Sequence, residues 1–154
     1  MKAYSLLLVL LSLFASSKVM SDEAEDLIKY RKGLMKSSSM SVKALFNYSR
    51  GKLSLSMGSV QHHADIIYHN AQLLNNDLEA VFPEGSIIEG ETDAKPAIWK
   101  HWTDFVEKSD GYVTATEEFR ALVNTNPSKQ EIMNGFRKMR KACGSCHRRY
   151  KADD

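Results

Sequence analysis

Apolar residues recur every three or four positions in four segments of the chain, and no segment shows the strict alternation that is typical of a β-strand. This spacing places the apolar side chains of each segment on one face of a helix. We therefore predict four helices. The second segment shows the pattern most clearly, because its apolar residues form the seam of a bundle helix: Val60, Ala64, Ile67, Ala71, Leu74, Leu78 and Val81.

The first predicted helix runs from about Glu23 to about Tyr48. Several acidic residues lie near its amino end, where the helix dipole favours negative charge. Its inward stripe contains a cation, Arg31, at a position that should be apolar. Because an unpaired charge is costly on a buried face, Arg31 should have an anionic partner. A carboxylate at a helix end, reached by a snorkelling side chain, is one such partner.

The third predicted helix begins near Pro96, and its seam includes two polar positions, Ser109 and Thr116, where packing should be looser. Asn126 and Pro127 form a start signal for the fourth helix, a cap side chain followed by proline at the first helical position. The connections between most of these helices are short. The pattern predicts an all-α fold, an antiparallel up-down-up-down four-helix bundle.

The amino-terminal segment has the pattern of a secretory signal peptide, and the chain of 154 residues is otherwise the size of one domain. Lys2 precedes an apolar run that ends at Phe14, and small residues then lead to a cleavage point near residues 17–21. The apolar run is too short to span a bilayer. We expect residues 1–21 to be removed, and residues 22–154 to be a periplasmic domain without stable membrane insertion. The alternative is an uncleaved signal anchor.

The formal net charge of +2 approaches zero once the signal peptide is removed, so the distribution of charge matters more than its total. Basic residues crowd the last helix: Arg137, Lys138, Arg140, Lys141, Arg148, Arg149 and Lys151. They could steer an acidic redox partner, or they could form a solvated face that suits the negative end of the helix dipole. We expect no nucleic-acid partner, because no aromatic stacking residues alternate with these cations.

Cys143 to His147 form a C-x-x-C-H sequence, the signature of covalent haem attachment. Residues three apart on a helix share one face, so the sulfurs of Cys143 and Cys146 can reach the two vinyl groups of one porphyrin. The His147 imidazole can then occupy one axial position on the iron. The motif predicts one covalently attached haem c, with its iron, per chain.

Two other uses of the cysteines are half of a zinc site and a redox thiol pair. Zinc would need further Cys or well-spaced His ligands, and the chain has only two cysteines. A thioredoxin-like pair is expected near a βαβ pattern, whereas this pair lies in a terminal helix. In an oxidising compartment, two lone cysteines are more simply explained as thioether donors.

A C-x-x-C-H motif in the last helix of an exported four-helix chain resembles the class II c-type cytochromes, the cytochrome c′ superfamily. The resemblance covers nearly all of residues 22–154. It also includes Lys29 to Lys32 in the first helix and Lys95 to Trp99 at the start of the third. A homodimer through the first two helices is common in that family.

The resemblance implies roles for five residues. Cys143 and Cys146 correspond to the thioether cysteines, His147 to the proximal ligand, and Arg31 to an arginine beside the haem propionates. Met35 falls at the position that decides the sixth ligand. In gas-binding members an apolar residue there leaves the iron five-coordinate, whereas in a low-spin branch a methionine binds the iron. Met35 therefore implies the low-spin branch.

We accordingly expect a monohaem electron carrier, not an enzyme, with His147 and Met35 as axial ligands. Antiparallel packing would bring the first half of the first helix alongside the second half of the fourth, and a thioether ligand favours reduced iron. One alternative is that Met35 only lines an open distal site that binds nitric oxide or carbon monoxide. Another is a haem-free bundle that uses Cys143 and Cys146 as a thiol pair.

Aromatic residues of the third helix, Trp99, Trp102 and Phe105, are predicted to form a wall that either packs against the porphyrin or belongs to the ordinary core. Four histidines fall outside the seams or at their borders, so we assign them no ligand role: His62, His63, His69 and His101.

Overall fold

The computed structural model describes the backbone of residues 2–152 and the side chains of residues 22–152. Four long helices form the bundle, and two single-turn helices precede and follow the longest loop. Within this part of the chain the only strand-like pairing is one isolated bridge, between Ala94 and Lys151. The helices are α1 (Lys2–Ser49), α2 (Met57–Asn76), α3 (Leu78–Val81), α4 (Ala97–Lys100), α5 (Trp102–Val123) and α6 (Lys129–Tyr150). The prediction of an all-α four-helix bundle is confirmed.

α1 is longer than predicted, because it is continuous from Lys2 and does not begin near Glu23. No glycine or proline interrupts the sequence before Gly33, so nothing local ends the helix. The predicted signal peptide falls on residues 1–21, whose side chains lie outside the described part of the chain, and it stays a prediction. No helix among the described residues is long and apolar enough to cross a bilayer.

The second and third predicted helices are each divided near one end. α2 ends at Asn76 and α3 follows after Asp77, whose backbone leaves the helical region at φ −121° and ψ 38°. α4 and α5 are separated in the same way at His101. The inward stripe still continues across the first break, because every residue of the predicted seam from Val60 to Val81 is buried.

The start of α6 differs from the prediction. Ser128 is the N-cap, and its side chain accepts a hydrogen bond from the backbone N–H of Glu131. The Glu131 carboxylate accepts in return from the backbone N–H of Ser128, which completes a capping box. Asn126 instead adopts a left-handed conformation with φ of 54°, so the Asn-Pro pair belongs to the turn before the helix.

The buried apolar residues form two clusters along the bundle axis. The first cluster lies toward the start of α6 and contains Leu45, Val60, Ala64, Ile67, Ala71, Tyr112, Phe119, Val123, Ile132, Phe136 and Met139. The second cluster lies toward the end of α6 and contains Leu74, Leu78, Val81, Ile98, Phe105 and Tyr150. Full burial of one such aliphatic or aromatic side chain stabilises the fold by about 1.5–3 kcal/mol.

The four long helices do not pack equally around the bundle. α1 lies against α2, α2 against α5, and α5 against α6, but α1 and α6 touch only lightly. The fourth side of the bundle therefore contains a cavity of about 480 Å³, to which both α1 and α6 contribute side chains.

Candidate functional site

The cysteines of the motif lie on the α6 side of this cavity. Cys143 packs against the first core cluster and Cys146 against the second, and both are half-buried, unpaired thiols. His147 also lines the cavity, at its exposed rim. The three residues predicted to attach and ligate haem therefore line one cavity, as their helical spacing requires.

The ionisation of the two thiols bears on the thiol-pair hypothesis. Burial raises the pKa of Cys143, and it raises the pKa of Cys146 to about 11. Both groups are therefore protonated near neutral pH, whereas a redox-active cysteine needs a lowered pKa and an accessible thiolate. Among the residues that the structure describes, no group of three or more His, Cys, Asp or Glu side chains could hold a metal ion. The local chemistry thus disfavours both a redox pair and a zinc site.

Met35 lies on the α1 side of the same cavity. It is half-buried and packs against the second core cluster, which Cys146 also contacts. The predicted proximity of Met35 to the motif is therefore present in the fold. An apolar wall residue and a sixth iron ligand would both occupy this place.

Arg31, also at the cavity wall, is only 4% exposed. Its Nη1 donates to the Val81 carbonyl oxygen at 2.9 Å and to Ser86 Oγ at 2.8 Å, while its Nη2 donates to the Ser86 carbonyl oxygen at 2.9 Å. The guanidinium also lies 4.6 Å above the centre of the Phe82 ring.

The alternative partner, a carboxylate at a helix end, is not among the contacts of Arg31, whose hydrogen-bond acceptors in the described chain are uncharged. The Val81 carbonyl lies at the carboxyl end of α3, where the helix carries a partial negative charge. This partial charge stabilises part of the positive charge of the Arg31 guanidinium. Burial lowers the pKa of Arg31, but a guanidinium stays charged in proteins. A haem propionate as its anionic partner remains a prediction.

The loop between α3 and α4 closes one end of the cavity. Besides its bonds to Arg31, it accepts a hydrogen bond from Lys32 Nζ at the Glu91 carbonyl, at 2.9 Å. Its other end is tied to the carboxyl-terminal segment, because the Lys95 N–H donates to the Tyr150 carbonyl at 2.9 Å and the Ala152 N–H donates to the Asp93 carbonyl at 2.7 Å. The loop is thereby held as a fixed wall of the site.

The aromatic wall differs from the predicted one. Of the three predicted rings only Phe105 lines the cavity, together with Phe82 and Tyr150, which pack edge-on against it with centroids 5.0 and 5.1 Å away. Trp102 lies behind Phe105 at 5.6 Å, and the Trp99 indole N–H donates to the Phe82 carbonyl oxygen at 2.9 Å. Both tryptophans therefore support the wall from outside.

Neither Phe82 nor Tyr150 is among the site residues predicted from the sequence. Helical spacing could have identified Tyr150, since it lies one turn beyond Cys146. The Tyr150 hydroxyl donates to Asp104 and lies 3.3 Å from the His101 carbonyl oxygen. These bonds fasten the last turn of α6, and so His147, to α5.

The predicted basic rim is partly neutralised. Lys138 pairs with Glu118 at 2.6 Å, Arg149 with Asp104 at 3.2 Å, and Lys151 with Asp93 at 3.3 Å. The remaining cations include Arg140, which is exposed at the cavity rim. Its guanidinium lies 5.2 Å from the ring centre of Phe46 and 5.9 Å from that of Phe136.

The histidines outside the motif do not converge on the cavity. His62, His69 and His101 are exposed. The Nδ1 atom of His63 lies 3.3 Å from Ser41 Oγ. None of them lines the cavity.

The donor set of the cavity fits a haem c group. The wall combines two thiols three residues apart, one imidazole, a buried guanidinium and otherwise mostly apolar and aromatic side chains. One buried hydroxyl of the wall, Ser109 Oγ, has no hydrogen-bond partner among the described residues. These features indicate a site shaped for a large, mostly apolar group with a few polar atoms.

Comparison with known proteins agrees with this chemistry. Residues 26–151 match the family described as "Cytochrome C'". A curated cytochrome c' from Rhodospirillum rubrum is 26% identical over 153 residues, which cover 99% of this chain and 100% of that protein. A cytochrome c-554 from Cereibacter sphaeroides is 36% identical over 76 residues, a match that spans only 48% of this chain and 48% of that protein.

The fold has solved counterparts as well. One is the nitric oxide complex of a cytochrome c prime variant from Alcaligenes xylosoxidans. It superposes with a TM-score of 0.73 at 18% identity, covering 85% of this chain and 97% of that chain.

Proposed function

The chain belongs to the cytochrome c′ family, whose members carry covalently attached haem c, and on that premise we propose that it binds nitric oxide or carbon monoxide at the iron face opposite His147. The observation that carries this proposal is the family match over residues 26–151, combined with a cavity between α1 and α6 that both Met35 and the motif line. The nitric oxide complex of the relative from Alcaligenes xylosoxidans is consistent with it.

Each of the site residues has a defined task in this proposal. Cys143 and Cys146 form the two thioether bonds, and His147 provides the proximal ligand. Arg31 provides the positive charge for a propionate, because its guanidinium is already oriented by Val81 and Ser86. When bound, the haem supplies an iron atom that can exchange an electron or bind a diatomic ligand.

The protein chain itself controls what reaches the iron. Met35 and Phe105 provide an apolar wall, which excludes water and favours small, weakly polar ligands. Met35 acts in this proposal through its bulk, as a side chain that limits the space on the distal side.

The second candidate function is single-electron transfer with Met35 as the sixth ligand. The specific observation that favours it is the position of Met35, a soft thioether donor on the cavity wall opposite the motif helix. Loss of the open position would make the iron low-spin and prevent gas binding, so the two functions make opposite predictions for the unmodified protein.

Carbon monoxide binding by the reduced, haem-loaded protein separates the two candidates. We expect rapid binding by the unmodified protein and by Met35→Leu, which keeps the apolar wall but removes the sulfur. Optical spectra of the oxidised and reduced forms measure spin state and binding together. A low-spin reduced spectrum, with carbon monoxide binding that appears only in Met35→Leu and Met35→Ala, would contradict gas binding and support the electron carrier.

We also propose that the protein is exported to the periplasm, as residues 1–21 predict, and that it forms a homodimer. Every large apolar side chain that is exposed in the described chain lies on α1, on α2 or on the connection between them: Tyr30, Met40, Phe46, Leu53, Ile66 and Leu73. Exposed apolar area of this kind is a common sign of a protein interface. For the electron-transfer candidate, an acidic redox partner would dock at the cavity rim beside Arg140.

A further inference from the structure

Three buried side chains of α1 and α5 bring hydroxyl groups to the wall of the cavity. Ser38 on α1 and Ser109 on α5 are each only 6% exposed, and Tyr112, one turn beyond Ser109, is 9% exposed. All three line the cavity, as does Cys143. A bundle core at this depth is normally apolar, so three hydroxyl groups here need a reason.

These hydroxyl groups carry more O–H donors than the described residues offer acceptors. Ser38 Oγ accepts a hydrogen bond from Asn70 Nδ2 at 3.2 Å, and its own O–H can donate toward the Tyr112 hydroxyl. A Ser38 proton directed at Tyr112 leaves the Tyr112 O–H as a donor. Ser109 Oγ has no partner among the described residues. Two O–H donors therefore remain at the cavity wall.

The hydroxyl groups keep their protons near neutral pH and so remain donors. Burial raises the pKa of Tyr112 to about 12, so its phenol keeps its proton across the working pH range. Leaving a buried hydroxyl unpaired costs more than the net gain of an ordinary hydrogen bond. The occupant of the cavity is the remaining source of an acceptor.

We propose that Ser109, together with the Ser38–Tyr112 pair, forms a binding site for one small hydrogen-bond acceptor inside the cavity. The acceptor is an oxygen atom with room for two donors, either that of a water molecule or that of a haem propionate. The inference rests on the proposed haem site, because the three hydroxyls lie on the wall of the same cavity.

Such a site would set the polarity beside the haem. Ferric haem carries one more positive charge than ferrous haem, and a bound polar oxygen favours the more charged state. Ser109 would thus act as a positioning residue for the acceptor, and its removal should shift the reduction potential. The shift is upward if a bound water is lost, and downward if a propionate loses a donor that offset its negative charge.

The sign of a stability change tests the proposal in the haem-loaded protein. If Ser109 binds an acceptor, Ser109→Ala loses that bond, and the thermal midpoint should fall by about 2–6 °C. If the hydroxyl stays unpaired, its removal relieves a buried unsatisfied group, so an unchanged or raised midpoint would overturn the proposal.

Thr116→Val is the matched control. Thr116 is buried on the same helix, but its hydroxyl donates to the Val113 carbonyl of its own helix at 2.7 Å, and it does not line the cavity. We expect the midpoint and the reduction potential to change less in this variant than in Ser109→Ala. Equal changes in the two variants would contradict a specific site.

A crystal structure of the loaded protein identifies the acceptor. A water or propionate oxygen within hydrogen-bond distance of Ser109 Oγ supports the site and names its source. Only carbon atoms around Ser109 Oγ would exclude it. The mass of the protein is measured first, because it shows whether haem is covalently attached. A chain without covalent haem contradicts the proposed function itself. Failure of the Ser109 site alone would leave the mass of the haem-loaded protein unchanged.

Discussion

At the scale of the single residue, Arg31 shows how a charge is accommodated on a buried helix face. Its guanidinium donates to two carbonyls and one hydroxyl and lies over the Phe82 ring. The same contacts hold Ser86, which is buried although it lies in a loop. Arg31 therefore connects the first helix to the wall that closes the cavity.

Replacement of Arg31 by methionine should destabilise the protein by about 2–4 kcal/mol, because the carbonyls of Val81 and Ser86 lose charged donors and stay buried. Urea unfolding of the haem-loaded protein measures the change. Lys29→Met is the control, since the Lys29 ion pairs are exposed to solvent and should contribute little to stability. If Arg31→Met lowers the free energy of unfolding no more than the control does, the hydrogen bonds of Arg31 to the loop are not important for stability.

At the scale of the element, α6 determines the geometry of the site. It begins at a capping box and ends where Tyr150 is bonded to Asp104 and to the loop before α4. Cys143, Cys146 and His147 occupy the last two turns between these fixed ends. A helix held at both ends keeps the motif at a constant depth in the cavity.

Ser128→Ala should lower the free energy of unfolding by about 1 kcal/mol, because it removes the side-chain acceptor of the capping box. Chemical denaturation provides the measurement. Asn126→Gly is the matched variant: glycine tolerates the left-handed backbone of position 126, so the change should be neutral or slightly stabilising. A larger loss for Asn126→Gly than for Ser128→Ala would mean that Asn126 is the cap.

At the scale of the whole molecule, the bundle is closed on three sides and open on the fourth. The close contacts of α1 with α2, α2 with α5 and α5 with α6 leave α1 and α6 separated by the cavity. The exposed apolar residues lie on α1, α2 and their connection. A partner on that surface would stabilise α1, which packs closely against α2 but only lightly against α6.

The homodimer proposal predicts the effect of a charge on this surface. Leu73 is 49% exposed on α2, and Leu73→Glu should convert a dimer to a monomer by burying a charge in the interface. Light scattering after size-exclusion chromatography measures the molar mass over a range of concentrations. Gln130→Glu on α6 adds the same charge elsewhere and should leave the mass unchanged. A monomeric wild type at every concentration would rule out the dimer.

Much of the fold could be predicted because helix periodicity is a local property of the sequence. The seam of α2, the inward stripe of α6 and the position of the motif on that helix all follow from residues a few positions apart. The breaks at Asp77 and His101 could not be predicted in the same way, because neither residue is a strong helix breaker. The haem c chemistry likewise follows from the spacing of Cys143, Cys146 and His147.

The sequence by itself determined the helices and the chemistry of the motif, since both depend on neighbours along the chain. Only the tertiary structure decided the surroundings of the motif. It placed Ser86 beside Arg31, added Phe82 and Tyr150 to the aromatic wall around Phe105, and turned Ser109 into a buried hydroxyl at the cavity. These contacts join residues tens of positions apart. They arise because α1 and α6 stay separated, whereas α1 and α2, α2 and α5, and α5 and α6 pack closely against each other.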